Sequence, residues 1–143
     1  MKKTIIKWSI ILLVVVITIC TVRYLRGQLI FSWQVDKIEF QGFSCDCDSR
    51  ETDTVELSRD EIRETIRHYN ASWNKRDVAG EGCESDFNFM IYMKDGTTIF
   101  IDEAGSPRLD VSPPLGEDYW VDNQALSEYA QELIKKYNLV VHE

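Results

Sequence analysis

From Trp8 to Val22 no charged side chain interrupts the chain, and beyond residue 34 short apolar repeats of two different periods take over. The first stretch is led by Lys2, Lys3 and Lys7 and closed by Arg23. With Ile5 and Ile6 included, and Lys7 snorkelling back to the headgroups, Thr4 to Val22 offers 19 residues, the length a helix needs to cross the hydrocarbon core of a bilayer. Trp8 and Tyr24 fall near its two ends, where amphipathic rings favour the interface.

After it the period changes. Val35 to Phe43 reads as a strand, with Ile38 and Phe40 on one face and Glu39 and Gln41 on the other. Thr54 to Leu57 forms a second short strand that leads into a helix. Ser58 is the N-cap of that helix, Glu61 closes a capping box, and Leu57 and Ile62 supply the hydrophobic staple. Ile62, Ile66, Tyr69 and Trp73 make its apolar stripe. Lys75 and Arg76 suit its negative end, and Gly80 and Gly82 mark the break beyond.

Phe87, Phe89, Ile91 and Met93 alternate with Asn88, Met90, Tyr92 and Lys94, the clearest strand pattern in the chain. A two-residue turn at Asp95-Gly96 would send Ile99 and Ile101 to the face opposite Phe89 and Ile91. A three-residue turn with a left-handed Gly96 restores them, so a type I turn with a glycine bulge is expected. Arg108 to Val111 and Tyr119 to Val121 are further short strands. A second amphipathic helix runs from about Asn123 to Tyr137, with Leu126, Tyr129, Ala130, Leu133, Ile134 and Tyr137 on one face and Glu132 to Lys136 as an i,i+4 pair. The predicted class is α+β: an N-terminal transmembrane helix, then a small antiparallel sheet with two amphipathic helices packed on one face, in the order β-β-α-β-β-(β)-β-α. The implied division is a cytoplasmic tip and anchor over 1–25, a juxtamembrane linker over 26–34 and an extracytoplasmic domain over 35–143.

The flanks of the apolar run set its topology. Three lysines and the α-amino group stand before it, against Arg23 and Arg26 after it, which predicts a cytoplasmic N-terminus in a single-pass cell-membrane protein. Val16 to Val22 offers bulky β-branched residues where a signal peptidase needs small ones, so the segment is read as an uncleaved signal-anchor. Lipidation at Cys20 is the alternative, against which stands Ile19 in the position that such signals give to a small residue.

Charge narrows the partners. All 24 acidic residues lie after Gly27, where 11 of the 16 basic residues remain, so the segment beyond the anchor carries a net charge of −13. That excess repels nucleic-acid backbones and anionic headgroups. The domain is expected to stand away from the bilayer, bind no nucleic acid and attract, where charge steers anything, a cationic protein or peptide. Its membrane contact is then lipid around the N-terminal helix alone.

Cys45, Cys47 and Cys83 are the pointed chemistry of the domain. Outside the cytoplasm a disulfide from Cys45 or Cys47 to Cys83 is the natural reading, worth about 4 kcal/mol in the chain-entropy model, with one thiol left over. A metal site would need these three and a fourth ligand such as Asp46, Asp48 or His68, and Cys-x-Cys is tighter than the usual ligand spacing. Asp46, Asp48, Glu51 and Asp53 alternate as hard ligands do, yet Arg50 and Glu51 stand where a calcium loop of the EF-hand type needs an oxygen ligand and a glycine. Asn70-Ala71-Ser72 matches a glycosylation sequon inside the predicted helix. His68 and His142 have no partner at a useful spacing.

No Gly-x-Ser-x-Gly, His-Glu-x-x-His or phosphate loop is present, so neither an enzyme nor a cofactor is expected. The expected role is a membrane-anchored binding module of the cell envelope, with partner contacts on two loops: Asp46, Asp48, Glu51 and Asp53 on one, Glu117, Asp118, Tyr119 and Trp120 on the other. Two alternatives stand beside it: an envelope thiol or metal protein acting through Cys45, Cys47 and Cys83, and an acidic immunity- or inhibitor-like protein that neutralises a cationic partner.

Overall fold

The computed structural model describes residues 2–25, 29–43, 52–72, 75–76, 86–104, 108–114 and 117–139. Its elements are α1 (Lys2–Leu25), a 3-10 turn (Ser32–Gln34), β1 (Val35–Phe43), β2 (Thr52–Glu56), α2 (Arg59–Ala71), β3 (Lys75–Arg76), β4 (Phe87–Met93), β5 (Thr98–Glu103), β6 (Arg108–Ser112), β7 (Tyr119–Asp122) and α3 (Gln124–Tyr137). The fold is α+β: three helices and an open antiparallel sheet of six strands, extended at one edge by the two-residue β3. The strand order is β2-β1-β4-β5-β6-β7-β3. Within α1, Ile5–Tyr24 has a mean hydropathy of 2.6 and none of it is buried. By length and composition it is a membrane span or a signal sequence.

Period-two alternation builds the sheet. Phe40, Phe89, Ile101, Val111 and Tyr119 lie side by side across five strands, and Ile38, Ile91 and Ile99 form the next row. All point to the helices and are at most 3% exposed. Phe40 sits 4.7 Å from Phe89 and 6.0 Å from Phe87, ring centre to ring centre. Gly96 takes φ +86°, Gly96 N–H donates to the Met93 carbonyl at 3.0 Å, and Met93 N–H donates to that of Thr97 at 2.9 Å. This is the three-residue turn the sequence predicts, and Ile99 and Ile101 face Ile91 and Phe89 as it requires.

The two amphipathic helices close the core with Ile62, Ile66 and Tyr69 from α2 and Leu126, Ala130, Leu133 and Ile134 from α3. Ser58 caps α2, its Oγ accepting from Glu61 N–H, while Glu61 Oε2 accepts from Ser58 N–H at 2.8 Å. Two expectations change at the helix ends. Lys75 and Arg76 do not belong to the end of α2, which stops at Ala71. They pair with Val121 and Trp120 as β3, a sheet partner that local periodicity cannot reveal. Lys136 does not pair with Glu132; its Nζ donates to Glu61 Oε1 at 2.6 Å, across the helix interface.

Glu61 thus ties α2 to α3. It is 7% exposed and accepts from Ser58, Lys136 and the Tyr137 hydroxyl. Burial alone would push its carboxyl up; the hydrogen bonds from Lys136, Ser58 and Tyr137 outweigh it and hold the group at about 2, against an ordinary 4.5.

The start of the domain is tied to the same helix. Asn70 Nδ2 donates to the Ile30 carbonyl at 2.6 Å and Asn70 Oδ1 accepts from Ile30 N–H at 2.9 Å, so the amide clamps both backbone groups of one residue, and Ile30 is buried. The sequon asparagine thus holds backbone together from within α2. Arg23 Nη2, at the end of α1, donates to the carbonyls of Asn70 (3.2 Å) and Ser72 (3.0 Å), a positive charge against the negative end of α2. Gln34 Nε2 donates to the Tyr24 hydroxyl at 2.9 Å.

Because folding depresses the pKa of Glu61, its contribution to stability is complete above about pH 4.5 and is lost as the pH falls through about 2. Glu61→Gln is expected to cost about 2 kcal/mol at pH 7, after allowance for the solvent-exposed Lys136, and to flatten the acid limb of the stability curve in urea titrations across that range. Gly42 offers a second check. A Cβ there would stand 2.9 Å from Leu139 Cβ, so Gly42→Val is expected to lower the urea midpoint by the equivalent of about 1–3 kcal/mol.

Candidate binding face

Both amphipathic helices pack on the same side of the sheet, and among the described residues no helix covers its other face. The outward positions form ordered rows. Gln41, Asn88, Asp102, Asp110 and Trp120 are successive cross-strand neighbours, and Glu39, Met90, Phe100 and Ser112 form the adjacent row.

The β1–β4 half of this face satisfies most of its own polar groups, Asn88 Oδ1 excepted. Lys37 Nζ donates to Glu39 Oε1 at 2.5 Å, the Tyr92 hydroxyl donates to Glu39 Oε2 at 2.9 Å, and Lys37 lies 4.5 Å from the Tyr92 ring centre. Gln41 joins the amide of Asn88 (3.1 Å) and the hydroxyl of Thr54 (3.0 Å). Hydrogen bonds from Lys37 and Tyr92 hold the Glu39 carboxyl below its ordinary range.

The β5–β7 half does not. Arg108 stacks its guanidinium 4.7 Å from the Trp120 ring centre. Yet Arg108 Nε, Trp120 Nε1, Asp110 Oδ1 and Asn88 Oδ1 are each shielded from solvent without a hydrogen-bond partner among the described residues. Asp102 and Asp110 are direct cross-strand partners, an arrangement of like charges that destabilises a sheet. Burial pushes the Asp110 carboxyl up, and the neighbouring charges of Asp118 and Asp102 push it further. Beside them Phe100 is 43% exposed. An unpartnered buried polar atom costs about 1–3 kcal/mol; an added cation or donor relieves the Asp110 and Asn88 oxygens, whereas the Arg108 and Trp120 N–H groups call for an acceptor.

Of the residues expected to make partner contacts, Glu117 and Asp118 are exposed just ahead of β7, and Trp120 reaches the open face. Tyr119 faces the other way. It is 3% exposed and its hydroxyl meets that of Tyr69 at 3.0 Å in the core, because strand alternation turns neighbours to opposite sides. Asp53 pairs with Gly42 in β2. Asp46, Asp48, Glu51, Cys45, Cys47, Cys83 and His142 lie outside the described residues. His68 is half-buried, its ring stacked 5.0 Å from that of Tyr129 and its Nε2 3.8 Å from Glu64. Among the described residues no group of three His, Cys, Asp or Glu side chains is placed to hold a metal ion.

Loop-based reasoning missed Phe100, Asp102, Arg108 and Asp110. Their signal was present: once the glycine-bulge turn fixes Ile99 and Ile101 inward, Phe100 and Asp102 must point outward. No family model, curated protein or solved structure matches the chain.

Since folding raises the Asp110 pKa, its charge opposes folding above that pKa and the penalty vanishes at lower pH. Asp110→Asn is therefore expected to raise stability at pH 7 by a few tenths of a kcal/mol. Thermal melts of the two proteins should converge towards pH 3.

Proposed function

We propose that this chain is a single-pass, membrane-anchored binding domain, set outside the cytoplasm, that presents the β5–β7 half of its open sheet face to a cationic segment of another protein. The observation that carries this reading is the Asp102–Asp110 cross-strand pair, flanked by Phe100 and the Trp120–Arg108 stack, with Asp110 Oδ1 left without a donor. Two adjacent carboxylates repel each other in the free domain, and a guanidinium or ammonium between them turns that repulsion into attraction. Phe100 and Trp120 supply the aromatic area on which such side chains stack. The net charge of −13 after Gly27 steers the same class of partner from a distance. The lysine-led apolar helix α1 supports the anchor, and the surplus of positive charge at its N-terminal end supports a cytoplasmic N-terminus.

Binding of an oligo-arginine peptide to the full chain in neutral-lipid nanodiscs tests the face. Binding is expected to weaken steeply with salt, and the double variant Asp102→Asn, Asp110→Asn to lose about tenfold in affinity at low salt. Glu132→Gln, an exposed change on α3, is expected to bind as the wild type does. Equal affinity in the double variant and the wild type would overturn the assignment. For the anchor, alkaline extraction of membranes should leave the intact chain in the pellet, and its release would refute insertion.

A further inference from the structure

We infer that the underside of the domain is a second membrane contact, a basic and aromatic collar that seats in the headgroup layer and takes the phosphates of anionic lipids. The inference rests on α1 being inserted as proposed above, and reverses the expectation from net charge that the domain stands clear of the bilayer.

The geometry begins with two neighbouring residues at the end of α1. Arg23 reaches the C-terminal carbonyls of α2, at Asn70 and Ser72. Tyr24 reaches Gln34, whose carbonyl accepts from Lys94 N–H at 2.9 Å and which ends the 3-10 turn beside the first turn of α2. The C-terminal end of α2, and the 3-10 turn that borders its first turn, are thus both joined to the same turn of α1. For that, α2 must lie across the end of α1 rather than continue away from it, so its flank runs near the plane in which the apolar span ends.

What this flank displays fits a headgroup layer. Tyr24, Phe31 and Trp33 form a file of rings with centres 6.3 and 6.1 Å apart, and they are 44%, 42% and 68% exposed. Exposed aromatics in continuity with a span are the interfacial signature of membrane proteins. Next to Trp33 opens a shallow groove of about 200 Å³ lined by Ser32, Trp33, Arg59, Ile62, Arg63 and Lys94. Arg59 donates to the Val35 carbonyl at 3.3 Å and Lys94 to the Trp33 carbonyl at 2.7 Å. Among the described residues neither cation meets a carboxylate, and Arg63 pairs only with the exposed Asp60. In a domain with 24 acidic residues against 11 basic ones, three cations that line one groove at the anchor's end are the local exception. Each basic side chain at an anionic surface strengthens attachment by about fivefold.

The full chain, reconstituted in bilayers of phosphatidylcholine with and without about one-third phosphatidylglycerol, separates this inference from the anchor on which it rests. Acyl-chain-brominated lipid should quench Trp8, as a loss of quenching in Trp8→Phe reveals. A headgroup-level spin label should quench Trp33, as a loss in Trp33→Phe reveals, and more strongly when phosphatidylglycerol is present. Arg59→Gln with Lys94→Gln, which keep donors for the two carbonyls, should abolish that increase while the circular dichroism melt stays unchanged. Quenching of Trp8 without quenching of Trp33 overturns the collar and leaves the anchor standing. Absence of Trp8 quenching overturns both.

Discussion

The register of β4 against β5 governs the rest of this protein. Among the described residues helices cover one face of the sheet only, so a slip of one residue would exchange Ile99 and Ile101 for Phe100 and the charged Asp102 in the core. A single left-handed glycine, Gly96, prevents it. From that turn the register propagates to β1 on one side and to β6 and β7 on the other. It aligns the buried row from Phe40 to Tyr119 and, by the same alternation, the outward row from Gln41 to Trp120. Core and candidate binding face are the two sides of one constraint.

Much of this was legible in the chain. The Ser58–Glu61 capping box, the glycine-bulge turn, the β1 alternation and the α3 stripe each rest on residues a few positions apart, and each appears where the sequence places it. What stayed hidden depends on residues far apart in sequence. Glu61 reads as a local cap, yet it is also the acceptor for Lys136 and Tyr137, about 75 positions away. Asn70 reads as one more polar residue of α2, within a sequon match inside the helix, and is the clamp on Ile30. Asp102 and Asp110 look like two more carboxylates among 24 until pairing sets them opposite each other.

The distribution of charge is more telling than its sum. Charged groups at the α2–α3 interface and on the β1–β4 half of the open face are neutralised by named partners, as Lys136–Glu61 and Lys37–Glu39 show. Two regions depart from this economy in opposite directions: carboxylates crowd the β5–β7 half, and cations line the groove beside Trp33. Natural domains tolerate such local frustration where a partner resolves it, which is why both readings of function start from these regions and not from the loops.

The hydrogen bonds of Arg23 and Tyr24 also decide how the domain moves. A flexible tether lets a domain tumble and sample every orientation above its attachment point. Here the final turn of α1 holds the C-terminal end of α2 and the 3-10 turn beside its first turn, and the swivel is restrained. For a helix inserted as proposed, a tilt of about 20° is then a tilt of the whole sheet, as an oar blade follows its shaft. Whatever approaches the open face meets it at one height and one angle, and membrane thickness, through the tilt it imposes, becomes a mechanical input to recognition.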